Sequence, residues 1–258
     1  MMEYGVSRLS VVSMRAEANW HSLQVNQMLF GEHYLVLERQ TGWLRIQHIP
    51  DDVQGWIPEA QHHSITYDYF VHVSDADFRI TLDTVSTLLY RKSPLPIMIG
   101  SVIPIGHQEL FALEEQLAFG GESKSIHQRR DAEFIQQLAR KFMHAPFLPG
   151  GKTPFGLEIH SFIQLVYRLA GYRIGRHPHS WPYLGVPVKS PVEFRVGDIL
   201  YFRSQDRDDV GLLLEKDKVM VMLGHLTPLR LEYPLLVDPE TTQPVGEVTG
   251  ALRLIKGR

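Results

Sequence analysis

Apolar and polar positions alternate with period two through residues 1–60. Val6, Leu9 and Val11-Val12 are followed by Met28-Leu29-Phe30, residues 34–37, Trp43-Leu44-Arg45-Ile46 and Gly55-Trp56-Ile57. Turn-forming residues at Glu17-Ala18-Asn19, Gly31-Glu32, Thr41-Gly42 and Pro50-Asp51-Asp52 separate these runs. Short strands with frequent turns predict a small all-β barrel or sandwich, with Trp43 and Trp56 in its core. The same grammar continues over 63–125, with apolar runs at Tyr69-Phe70-Val71, 86–90, 95–100, 102–105 and 109–113. Pro94, Pro96 and Pro104 confine their runs to sheet edges or strand starts. Gly120-Gly121-Glu122-Ser123 reads as the end of this module.

Helical period begins only after Gln128. Phe134-Ile135, Leu138-Ala139 and Phe142-Met143 recur four residues apart among polar neighbours, predicting an amphipathic helix stopped at Pro146. A second helix is predicted over 158–170, with Phe162, Leu165-Val166 and Leu169 on one face and Gly171 as its C-cap. Five β-like runs follow between Asp198 and Ile255. Helices followed by an antiparallel series of strands make an α+β pattern. The expected organisation is therefore a β domain over 1–62, a second β domain over 63–127 and an α+β domain over 128–258.

Composition narrows the function classes. The chain has 258 residues, 44% apolar and 21% charged, with a formal net charge of −3. That is ordinary for a chain that folds around packed cores, and it gives no general pull toward nucleic acid or anionic lipid. The N-terminus lacks the basic and apolar regions of a secretory signal, and no apolar run is long enough to span a bilayer. A cytoplasmic protein without transmembrane segments is expected. The absence of cysteine excludes disulfides, thiolate metal sites and any thiol nucleophile.

Residues 12–57 resemble a bacterial SH3-like domain, through Met14-Arg15-Ala16-Glu17, Gln27 to Glu32, Gly42-Trp43-Leu44-Arg45-Ile46 and Gly55-Trp56-Ile57. Such domains commonly precede the NlpC family of papain-like cysteine peptidases, which cut bacterial cell-wall peptides. The C-terminal third supports that attachment. Ala145-Pro146-Phe147-Leu148-Pro149-Gly150-Gly151 is similar to the family's Ala-Pro-Tyr-x-Trp-Gly-Gly lead-in, residues 162–167 to its nucleophile helix, and residues 196–202 to its Gly-Asp-Leu-x-Phe-Phe strand. The resemblance implies a papain-like NlpC-type domain preceded by two SH3-like barrels, the match being weakest over 63–125.

The positions that carry the family's chemistry differ. Members have Asp-Cys-Ser-Gly-Phe where this chain has Glu158-Ile159-His160-Ser161-Phe162, so the nucleophile position is Ile159. The family's His-Val-Gly strand is Asp209-Val210-Gly211, which puts Asp209 at the general-base position. The polar residue that orients the base matches Met222. On the recognition side a family Tyr becomes Val53, the lead-in Tyr and Trp become Phe147 and Pro149, and Glu17 survives as a recognition carboxylate. Glu17, Val53, Phe147, Glu158, His160 and Trp181 are the candidate ligand-binding residues, with Trp181 filling or lining the old cleft.

Other groupings read more plainly. Ser161 lies about 200° around the helix from the nucleophile position and is not expected to face the pocket. His62-His63, His177, His179, His160 and His225 lack a carboxylate at zincin spacing, so no metal and no cofactor is expected. Gly150-Gly151-Lys152-Thr153 lacks the first glycine of a phosphate loop. Asp206, Asp208 and Asp209 read as a solvated hairpin loop. The expected protein is a catalytically inactive homologue that binds a peptide, a peptidoglycan fragment or a protein partner. The alternatives are hydrolysis of γ-D-Glu peptides by a non-thiol site at His160, Glu158 and Asp209, or SH3-like modules that do the work on a scaffold.

Overall fold

The computed structural model describes residues 2–105, 111–112, 117–205 and 207–255. The chain divides into two compact units, one of residues 1–128 with Pro149–Thr153, the other of residues 129–148 with 154–258. The expected 1–62 and 63–127 modules thus share a unit.

In the first unit, β1 (Glu3–Val6), β2 (Val11–Arg15), β3 (Gln24–Leu29), β4 (His33–Gln40), β5 (Trp43–His48), β6 (Val53–Pro58) and β7 (Ser64–Ile65) form one antiparallel sheet. Its order is β3-β2-β6-β5-β4-β1-β7. Alternation buries Val12, Met14, Met28, Tyr34, Leu44, Ile46 and Ile57 together as its core. Because β7 pairs with β1, this sheet extends past the expected boundary at 62. At Gly31, φ is +81° and a Cβ would stand 1.8 Å from the Val102 carbonyl oxygen, so only glycine fits this turn.

Two expectations for the next module are corrected. The Tyr69-Phe70-Val71 run is not a strand but part of helix α1 (Tyr67–Asp75). The Thr66 hydroxyl caps it by accepting from the Tyr69 backbone N–H at 3.2 Å, Asp68 complements the dipole in its first turn, and Tyr69 and Val73, four apart, pack with Phe78 and Val102. Nor does the module stop within Gly120-Gly121-Glu122-Ser123. After β8 (Arg79–Thr81), β9 (Val85–Tyr90), β10 (Ser93–Met98), β11 (Val102–Ile103), β12 (Phe111–Ala112) and β13 (Leu117–Phe119), a last strand β14 (Ser123–Ser125) returns to pair with β8. These strands make two small sheets, β10-β9-β13-β12 and β11-β8-β14. β10, with Pro94 and Pro96, is an edge strand, as those prolines require. The expected run at 109–113 falls largely outside the described residues. Phe30, in the turn just after β3, packs among Leu88, Ile97, Ile103, Ile105 and Leu117, so the two modules are joined by a common cluster.

The second unit begins with α2 (Ala132–Arg140), capped by the Asp131 carboxylate, which accepts from the Phe134 N–H at 3.0 Å. It ends well before Pro146, giving way to tight turns in which Phe142 N–H donates to the Ala139 carbonyl and Ala145 N–H to that of Phe142. The short strands β15 (Lys152–Thr153), in the first unit, and β16 (Gly156–Leu157), in the second, precede α3 (Ile159–Leu169). Helix α3 is buried on nearly every side, and Gly171 after it takes φ +84°. Then come β17 (Val186–Pro187), β18 (Ile199–Ser204), β19 (Arg207–Glu215), β20 (Lys218–Met222), β21 (Leu226–Glu232), β22 (Leu235–Val237) and β23 (Pro244–Arg253). They form an antiparallel sheet ordered β17-β23-β18-β19-β20-β21-β22, closed by a β22–β23 pairing. Leu200, Phe202, Leu213, Val219, Val221, Leu229, Leu236, Val248 and Ala251 fill one face. The fold is α+β, with an all-β N-terminal region. Among the described residues no helix is long and apolar enough to cross a membrane.

Candidate functional site

The start of α3 gathers most of the expected second-unit residues. Ile159 is the first residue of the helix and is buried at 6% exposure. Glu158 occupies the N-cap with extended backbone, but its side chain does not cap the helix. It turns to Arg176, whose buried guanidinium donates to Glu158 Oε2 at 2.7 Å. His160 Nδ1 lies 3.6 Å from Glu158 Oε1, beyond hydrogen-bond range. The His160 ring meets Trp181 edge-on, with centroids 6.1 Å apart. Trp181 is sealed from solvent and donates from Nε1 to the Gly175 carbonyl at 2.7 Å. The cluster therefore pairs a carboxylate with a guanidinium and an imidazole with an indole. Ser161 is fully buried, and its hydroxyl has no hydrogen-bond partner among the described residues.

Asp209 stands opposite Phe202 in the β18–β19 pairing, and its carboxylate accepts from the N–H of Val210. Met222 ends β20, opposite Leu226. Leu213 pairs with Val219, so alternation puts Asp209, Leu213, Val219 and Val221 on one face and Met222 on the other. Met222, expected at the orienting position, therefore faces away from Asp209, and its neighbour Val221 shares the face of Asp209. Val221 is apolar too, so neither choice supplies a polar orienting group. Phe147 is half exposed; its N–H donates to the Gly224 carbonyl at 2.8 Å, and it bridges to Leu157 just ahead of α3.

Glu17 and Val53 belong to the first unit. Glu17 is exposed in the turn after β2, where its carboxylate accepts from the Asn19 amide at 3.2 Å. Val53 is half-buried against the barrel core, and Trp43 is buried with Trp20 edge-on to it at 5.0 Å.

A second grouping, also in the first unit, was not expected. Glu32, His48, Asp51 and Lys152 are all buried. Lys152 Nζ donates to Glu32 Oε1 at 2.7 Å and to Asp51 Oδ2 at 2.8 Å. His48 lies between the carboxylates, Nδ1 3.1 Å from Asp51 Oδ2 and Nε2 3.2 Å from Glu32 Oε2. Burial alone would lower the His48 pKa, but the charges of Asp51 and Glu32 outweigh it and hold it above the ordinary 6.5. Glu32 and Asp51 sit in segments that read as turns, where acidic residues are ordinarily solvated, and Lys152 comes from about a hundred residues downstream. No local pattern announces such a cluster.

Residues 14–61 match the bacterial dipeptidyl-peptidase SH3 domain and residues 144–230 match the NlpC/P60 family. The chain is similar to the γ-D-glutamyl-L-lysine dipeptidyl-peptidase of Bacillus subtilis (strain 168), at 23% identity over 197 residues. That match takes in 70% of this chain and spans 64% of the relative's length. An NlpC/P60 family protein from Bacillus cereus ATCC 10987 has the same fold, with a TM-score of 0.78 at 14% identity over 98% of this chain and 100% of the other. An NlpC/P60 endopeptidase from Photobacterium damselae subsp. piscicida gives 0.63 at 11%, over 96% of this chain and 65% of the other.

Proposed function

We infer, for a chain that belongs to the NlpC/P60 family and carries an N-terminal SH3-like domain, that it binds its ligand without cutting it. One observation carries this reading: the head of α3, where the family places its nucleophile, holds the buried aliphatic Ile159 in a chain without cysteine. Nucleophilic catalysis needs an ionisable group beside a base. Ile159, Asp209 and the apolar residues of β20 offer no such pair. The proposed ligand is a peptide, a cell-wall fragment or a protein partner, met in the cytoplasm. The similarity to a γ-D-glutamyl-L-lysine dipeptidyl-peptidase supports the peptide class. Glu17, Val53, Phe147, Glu158 and His160 are the residues proposed to read it, with Trp181 packed edge-on against His160.

A non-thiol hydrolase centred on His160, Glu158 and Asp209 is the weaker reading. Glu158 is engaged by Arg176, and His160 stands too far from Glu158 to be oriented by it as a general base. Calorimetric titration of the full chain with L-Ala-γ-D-Glu and with longer γ-D-Glu-diamino-acid peptides tests the binding role. Saturable heat that Glu17→Ala or His160→Ala weakens supports a peptide ligand. No heat with any of these peptides removes that ligand class.

A further inference from the structure

We propose that Glu32, His48 and Asp51 form a receptor for a primary ammonium group, occupied in cis by Lys152, which anchors Pro149–Thr153 within the first unit.

The receptor's walls are held by contacts other than those to its occupant. Glu32 Oε2 accepts the Leu29 backbone N–H at 2.8 Å, fixing the carboxylate in the turn after β3. Asp51 Oδ2 accepts from the Asn26 side-chain amide at 2.9 Å. Two carboxylates this close and this dry repel each other strongly unless cations balance them. The Lys152 ammonium touches both, and His48 lies between them, where the charges of Asp51 and Glu32 favour its protonated form.

The anchored segment is fitted to β3 along its length. Gln24 Nε2 donates to the Pro149 carbonyl at 2.9 Å, and the Lys152 N–H donates to Gln27 Oε1 at 2.8 Å. Gly150 takes φ +66°, and a Cβ there would lie 2.8 Å from the backbone of Gln24 and Val25. Glycine is thus required for the approach that delivers the lysine.

Glu32, His48 and Asp51 also offer one ligand atom each within 4.8 Å of one another, a spacing a divalent cation can use. The occupant argues for the ammonium instead, because a lysine cation and a divalent ion would repel each other in the same space. The ammonium nitrogen also sits within hydrogen-bond distance of both acids.

Chemical complementation tests this. In full-length Lys152→Ala the socket is empty, and n-propylammonium has the length and charge of the missing side chain. Its addition should raise the Tm of the variant saturably and leave the unaltered chain unmoved, while tetramethylammonium at equal ionic strength should shift neither protein. Equal response to both salts, no response, or recovery with Zn²⁺ but not with the amine would overturn the proposal. A second measurement needs no loss of Lys152. In the spectrum of ¹⁵N-lysine-labelled protein carrying Lys124→Arg, which removes the other buried lysine among the described residues, one ε-ammonium signal protected from solvent exchange is expected. Its absence overturns the proposal.

Discussion

The Lys152 ammonium lies 2.8 Å from Asp51 Oδ2, two residues 101 positions apart whose side chains are both closed to solvent. Removing one partner of a buried pair leaves the other charge without compensation, at about 3–5 kcal/mol. Lys152→Met, which keeps the length and drops the charge, should lower the unfolding free energy by about that much in urea titrations. The exposed Arg203–Asp208 pair, 2.9 Å apart on the β18–β19 hairpin, serves as the control. Arg203→Ala should leave the urea midpoint essentially unchanged.

His48 gives the barrel a pH signature. Burial opposes its charge, but Asp51 and Glu32 hold its pKa above 6.5. A group whose pKa rises on folding stabilises fully below its unfolded value, and the contribution is lost as pH climbs through the folded value. Stability should therefore decline from about pH 6.5 upward. His62 acts in the opposite sense, because burial lowers its pKa despite the attraction of Glu3, and its contribution is lost as pH falls below 6.5. The diagnostic is the difference between the unaltered chain and His48→Gln, in which the decline above about pH 6.5 should vanish.

Ile159 and Trp181 are read as packing where the family has catalytic machinery. Ile159 is 6% exposed and Trp181 fully buried. Truncation of such side chains loses transfer energy and leaves a cavity. Ile159→Ala should cost about 2–5 kcal/mol and Trp181→Ala about 3–5 kcal/mol, measured by chemical unfolding followed through tryptophan fluorescence and circular dichroism. Costs near zero would mean that both side chains line an open, solvated space.

Much of this architecture was legible in the chain. Period-two runs in the first sixty residues marked β2 to β6, and the 3.6 period from Phe134 marked α2. α1 was hidden because Tyr69-Phe70-Val71 is too short a run to tell strand from helix, and the deciding signal was the Thr66 cap. That Met222 faces away from Asp209 was not legible, because sequence alone gives no pairing register and one residue decides the face. At the site, Glu158, Ile159 and His160 were visible from their spacing. Arg176, which neutralises Glu158, lies 18 positions away across a loop. The Lys152 socket was invisible because its members come from two turns, a strand end and a distant segment, each unremarkable by itself.

The central claim is that this family fold binds without cutting, and peptide cleavage measures it most directly. Purified full-length protein at high concentration is held with L-Ala-γ-D-Glu-L-Lys and L-Ala-γ-D-Glu-meso-diaminopimelate, and the products are followed by mass spectrometry. The account predicts that both peptides remain intact, at the rate of buffer alone. Release of L-Ala-γ-D-Glu that His160→Ala abolishes would contradict it and establish a rebuilt hydrolytic site.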